Sequence, residues 1–272
     1  MNGTVGLGGF LRAIGALVVA ALVSCSDDCG STIEGGDGGP DGDGAADRAG
    51  DGTDDGRADA DVAGDGSDAG SHALGGVIRD FNDTHPDFED GLADDRGIVE
   101  ETLGVDGKPV YAGGSGTATT HGQEAFDQWF RDTPGVNLSA PYAITLEPAG
   151  GGIYTYSNPE FFPIDDQLFG NQARPHNYHF TLEIHTRFQY RGGEVFTFTG
   201  DDDLFVFVNG RLAIDLGGVH GAESSTIDFD AMAGTLGITP GNAYDLDFFF
   251  AERHTTESNF RIDTTIEEFI LG

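Results

Sequence analysis

The chain has 272 residues, with 13 Lys and Arg against 47 Asp and Glu and a formal net charge of −34. A surface that acidic repels phosphate backbones and excludes nucleic acid as a partner. Two compositions share the charge. Residues 26–71 hold fourteen acids, no aromatic residue and only Ile33 and Val62 as bulky apolar side chains, whereas 19 of the 20 phenylalanines lie after residue 72. Residues 72–272 are therefore able to bury a full core, and the segment before them is not.

Three segments follow in chain order: a leader over 1–24, a spacer over 25–71 and one folded domain over 72–272. The leader has a single base, Arg12, before an apolar run from Ala13 to Val23. That run is too short to span a membrane and has the length of a signal-peptide core. Leu22-Val23-Ser24-Cys25 resembles the lipobox of bacterial lipoproteins. The resemblance implies cleavage before Cys25, lipidation of Cys25 and, with Ser26 next, sorting to the outer membrane. An ordinary secretory signal with a Cys25–Cys29 disulfide is the alternative. The domain has no cysteine, so nothing covalent staples it outside the cytoplasm. The spacer repeats Asp-Gly steps such as Asp41-Gly42-Asp43-Gly44. It lacks the closing Glu of an EF-hand loop and reads as a disordered, self-repelling stalk.

The domain reads as mostly β with one short helix. Thr120-x-x-Gln123 has the form of a capping box, and Phe126, Trp129 and Phe130 share a helical face before Pro134, with Trp129 as a core anchor. Phe180, Leu182, Ile184, Phe188 and Tyr190 alternate with Glu183, His185, Arg187 and Gln189, which predicts a strand with one face inward. Glu194–Phe198 predicts another. Leu204–Val208 is apolar throughout, as a strand buried on both faces must be. Asn209-Gly210 then predicts a type I′ turn, with Arg211–Asp215 returning. Further strands are expected over 244–250 and 260–270.

Three consecutive carboxylates, Asp201-Asp202-Asp203, precede the apolar strand. Held together they must be solvated, protonated or metal-bound. Calcium takes six to eight oxygens and tolerates irregular loops, so it suits such a turn. An exposed turn whose aspartates cap backbone N–H groups fits the same residues.

The stretch Phe196-Thr-Phe-Thr-Gly-Asp-Asp-Asp-Leu-Phe-Val-Phe-Val-Asn-Gly-Arg-Leu-Ala-Ile-Asp-Leu-Gly-Gly-Val-His220 resembles the signature of the fibro-slime domain, a branch of the PA14-like β-sandwich superfamily. Val77–Phe81, His85–Glu89, Phe161–Asp165, Asn177–Thr181, Phe250–His254 and Ser258–Phe260 resemble it in the same order. The resemblance implies a two-sheet sandwich. In the sugar-binding members two adjacent aspartates joined by a cis peptide hold a calcium ion that coordinates sugar hydroxyls. Here those positions are Asp201 and Asp202, and Glu252 and Asn259 are the candidates to complete the shell.

Other constellations are weaker. His220 reads as structural. His176 and His179 have His-x-x-His spacing but no shared strand face. Glu252-Arg253-His254 reads as a surface ion pair. Asp165-Asp166, taken as strand neighbours, point apart and make a poor acid–base pair. No nucleophile motif is present, and catalysis is not expected. The expected function is calcium-dependent recognition of extracellular carbohydrate or matrix polymer by a surface lipoprotein held to the membrane only by its lipid. The alternative is a non-catalytic structural or protein-interaction module of surface fibrils.

Overall fold

Alternating and continuous apolar runs become strands, the stretch 260–270 as two short ones broken at 265–268, and several more strands join them. In this computed structural model the described residues are 70–270. The leader, Cys25, Cys29 and nearly all of the spacer lie outside them. The chain begins with β1 (His72–Phe81) and β2 (Ala93–Asp94), then the one-turn helix α1 (Gln123–Phe126). Next come β3 (Asn137–Gly150), β4 (Ile153–Asn158), β5 (Phe180–Tyr190), β6 (Val195–Gly200) and β7 (Asp203–Val208). After them run β8 (Arg211–Leu216), β9 (Gly218–Val219), β10 (Glu223–Asp228) and helix α2 (Phe229–Leu236). The last elements are β11 (Asn242–Glu252), β12 (Phe260–Thr264) and β13 (Phe269–Ile270). No helix among the described residues is long and apolar enough to cross a membrane.

The strands form two antiparallel layers joined by β3. Its first ten residues pair with β1, and its last residues pair with β4 across a bulge. One layer runs β3-β1-β5-β11-β7-β8, and the other runs β10-β6-β12-β4 to the far end of β3. Phe196, Phe198, Ile227, Phe260 and Ile262 of the second layer meet Leu182, Ile184, Leu204, Val206, Phe248 and Phe250 of the first in one core.

A second core explains why β7 is apolar throughout. Phe205, Phe207, Phe249 and Ala251 point away from the sandwich and are covered by Phe81, Phe88, Ile98, Phe126, Trp129 and Phe130. The covering side chains come mainly from the segment between β1 and β3, so β7 is buried on both sides. Trp129 is fully buried and donates Nε1–H to Asp87 Oδ2 at 3.0 Å. It is a core anchor as expected, but not on a helix face: α1 ends at Phe126, and Trp129 and Phe130 lie in the turn that follows.

Asn209 and Gly210 take φ of 52° and 70°, the left-handed pair of a type I′ turn between β7 and β8. The helices depart from expectation. Gly122, not Thr120, precedes α1, and no side chain caps it. The Thr120 hydroxyl is instead engaged with Tyr111 and Thr117, so the capping-box reading is corrected. A second helix, α2, is present. Asp228 caps it by accepting the Ala231 N–H at 3.0 Å, and Gly237 ends it at φ 68°.

Candidate functional site

The acidic turn lies where two chain crossings run side by side. Residues 200–203 carry the chain from β6 in one layer to β7 in the other. Residues 253–259 carry it back from β11 to β12. Because β6 pairs with β12 and β7 with β11, the two crossings must be neighbours. Gly200 makes the approach close: a Cβ there would meet the Asn259 carbonyl at 2.4 Å.

Each aspartate of the turn has a different partner. Both oxygens of Asp201 accept from the Asn259 side-chain amide at 2.8 and 3.0 Å, and Oδ2 also accepts the Asn259 N–H. Asp202 Oδ1 accepts the His220 N–H, while Oδ2 accepts the N–H groups of Arg253 and His254 at 2.8 and 3.1 Å. Asp203 accepts the Gly218 N–H and the Arg253 Nε–H at 2.7 and 2.6 Å. The aspartates do cap backbone N–H groups, but the turn is buried, not exposed. The Asp201–Asp202 peptide is trans, with Asp202 at φ 49°; the cis bond implied by the resemblance is not found there.

Arg253 is fully buried, which corrects its reading as half of a surface ion pair. It pairs with Asp203, donates to the carbonyls of Asp87 and Thr119, and lies 4.5 Å from the centroid of Trp129. One guanidinium thus ties the acidic turn to the covering segment.

Glu252 has no such partner. It is fully buried, and neither carboxyl oxygen is hydrogen-bonded; the neighbouring Ser258 hydroxyl is also buried and unpaired. Burial, and then the charge of Asp202, pushes the Glu252 carboxyl well above the usual carboxylate range. Burial pushes Asp202 up to about 7 against the pull of Arg253. It raises Asp201 and Asp203 as well. Among the described residues no group of three or more His, Cys, Asp or Glu side chains is arranged to hold a metal ion. The donors are still of the kind a hard cation takes: the charges of Asp202 and Asp201 are felt at Glu252, whose buried oxygens lack donors of good geometry.

Titration follows from these shifts. Folded-state pKa values are raised, so the folded domain keeps protons that the unfolded chain releases above about pH 4. That stability is complete below the unfolded value and is lost as pH rises through about 7, the Asp202 value. In chelator the melting temperature is expected to fall by several degrees from about pH 5 to about pH 7.5. Scanning calorimetry at steps across that range checks it, and a rising trend contradicts it.

The turn opens on a cleft of about 270 Å³ whose walls include Asp201, Asp202, His220, His254, Thr255 and Leu92. His220 therefore stands at the cleft as well as holding the turn. Only the position of its loop could have revealed this, since its ring bonds local carbonyls. His176 and His179 bind different carboxylates, Asp165 and Glu89, and form no metal pair. Asp165 and Asp166 lie in a turn, with Asp166 at φ 58°, so the strand argument about them does not apply.

Residues 164–267, which include both crossings, match the model of the PA14 domain. This stretch carries a PA14 domain. The chain is similar to protein psiR of Dictyostelium discoideum, 43% identical over 200 residues, covering 67% of this chain and 20% of that protein. Protein psiD of the same organism is 41% identical over 215 residues, covering 72% and 42%. The chain thus spans less than half the length of these relatives. Among solved structures it is similar to a PA14 sugar-binding domain from an RTX adhesin, at 9% identity, 72% and 95% coverage and a TM-score of 0.29. The PA14 domain of the MpAFP antifreeze protein is similar at 10% identity, 40% and 63% coverage and a TM-score of 0.27. All of the cleft's wall but Leu92 lies inside the matched PA14 stretch, whereas Asp87, Thr119 and Trp129, which hold Arg253, lie before it.

Proposed function

We propose that the PA14 domain binds extracellular carbohydrate through a calcium ion held by Asp201, Asp202 and Glu252, with Asn259 in support. The observation that carries this reading is the carboxyl of Glu252, fully buried without a hydrogen bond of good geometry and close to Asp201 and Asp202, the two aspartates that line the cleft. A cation would satisfy oxygens for which the protein provides no donor. Calcium, when bound, supplies open coordination positions for vicinal hydroxyls. The chain's own residues orient the carboxyls: the Asn259 amide holds Asp201, and three backbone N–H groups fix Asp202. His220, His254 and Thr255 line the opening and are placed to select the sugar. The fibro-slime likeness in the motifs agrees with this reading. Cys25 would be the lipid anchor at the outer membrane, with residues 26–71 as its spacer, and the domain would be non-catalytic.

The satisfied aspartates favour a second reading, in which the turn is structural and the domain joins surface fibrils through protein contacts. Retention of the full chain on immobilised polysaccharides separates the two. Retention in calcium, lost in chelator and lost in Glu252→Gln, is expected. Binding to a protein partner that chelator leaves untouched, with no polysaccharide retained, supports the alternative.

A further inference from the structure

A second cleft, of about 460 Å³, adjoins the first and shares Thr256 and Glu257 with it. Its character differs, because one wall is aromatic. Phe162 and His176 stack with centroids 4.0 Å apart and planes 8° from parallel. Tyr178 meets both edge-on, at 5.0 and 6.0 Å. The His176 ring is pinned by Asp165 Oδ2 at 2.7 Å, and Asp165 is in turn fixed by the Asn177 N–H at 2.7 Å. The wall is therefore rigid before any ligand arrives. The opposite side supplies Glu257, Ser258 and Asn259, and the Ser258 hydroxyl is buried without a partner.

We infer that this cleft is a second carbohydrate subsite, so that the ligand is an oligosaccharide of at least two units and not a single sugar. A pyranose has an apolar C–H face and a polar rim. A fixed aromatic wall in a cleft that also carries amide and carboxylate groups matches both. Because the clefts are contiguous, a sugar held at the acidic turn would pass its neighbour onto the Phe162–His176 wall. Among the described residues the clefts around Arg191 differ: they are lined by the glycines of the β3–β4 hairpin, by Ile153 and Tyr154 without a stacked aromatic pair, and by an arginine already paired with Glu267 and Glu268.

The inference rests on the carbohydrate reading, and its test separates the two. The full chain, its aromatic and imidazole C–H groups followed by NMR, is titrated with glucose, mannose and galactose and with cellobiose, mannobiose and lactose, in calcium and in chelator. Phe162→Ala is run alongside, with His176→Ala as a second variant at a half-exposed side chain. In calcium, at least one disaccharide is expected to bind more tightly than its monosaccharide and to shift the Phe162 and His176 signals. Either variant is expected to lower disaccharide affinity about three- to tenfold and leave the monosaccharide unchanged. Calcium-dependent binding with unmoved aromatic signals and unaffected variants overturns the subsite and leaves the acidic site standing. Aromatic shifts that persist undiminished in chelator support the subsite and overturn the calcium reading. No binding by any probe overturns both.

Discussion

Calcium at saturation is expected to raise the melting temperature of the full chain by roughly 5–10 °C, and Glu252→Gln is expected to abolish that rise. The same substitution is expected to lift the calcium-free melting temperature above that of the wild type. Glu252 is the cleanest probe because its oxygens hold no hydrogen bond. The amide removes a buried ionisable group at nearly constant shape. At neutral pH the folded state must keep a proton on Glu252 that the unfolded chain releases, a cost the amide does not carry, so the variant gains stability in chelator. Asp202→Asn is a poorer test, since Asp202 accepts three backbone N–H bonds that an amide nitrogen would oppose. Differential scanning calorimetry in calcium and in chelator reads both effects. Identical wild-type melts, with Glu252→Gln less stable in chelator, contradict the cation site.

Arg253→Met is expected to be the most damaging single change, at about 3–5 kcal/mol. It leaves Asp203 buried without its counter-ion, removes donors from the Asp87 and Thr119 carbonyls and takes the cation off Trp129. For a domain of this size the melting temperature is expected to fall by roughly 10–15 °C. Most of that loss belongs to the stranded carboxylate. The double variant Arg253→Met with Asp203→Asn is therefore expected to recover part of it, while Asp203→Asn alone loses stability. A double-mutant cycle by urea unfolding measures the coupling. Strict additivity contradicts the account of Arg253 as the partner of Asp203.

The outline of the fold was legible because β-structure writes itself locally. The alternation of Phe180–Tyr190, the continuous run Leu204–Val208 and the Asn209-Gly210 turn each state their geometry within a dozen residues. The acidic turn was legible as chemistry, since three adjacent carboxylates need an explanation wherever they fall. Its burial was not, because burial depends on crossings that meet only in three dimensions. Arg253 shows this best: in sequence it sits between an acid and a histidine, and its partners Asp87, Thr119 and Trp129 are more than a hundred residues away. Helix α2 carries end signals in its sequence with little apolar periodicity between them. Asp228 stands at its start and Gly237 at its end, either side of a short run with few large apolar residues. At α1 the reverse held: a local capping pattern was overridden when Tyr111 took the Thr120 hydroxyl.

The two crossings that form the acidic cleft are some fifty residues apart along the chain and belong to opposite passages between the layers. Prising the layers apart at this edge separates Asp201 and Asp202 from Asn259 and the loop around it. A cation shared between them would act as a clasp whose release must precede opening. The dwell time of the closed domain would then track the ionic composition of the surrounding fluid, through the rate of unfolding more than the rate of folding. Persistence under mechanical load would be set there, at one small cluster of carboxylates.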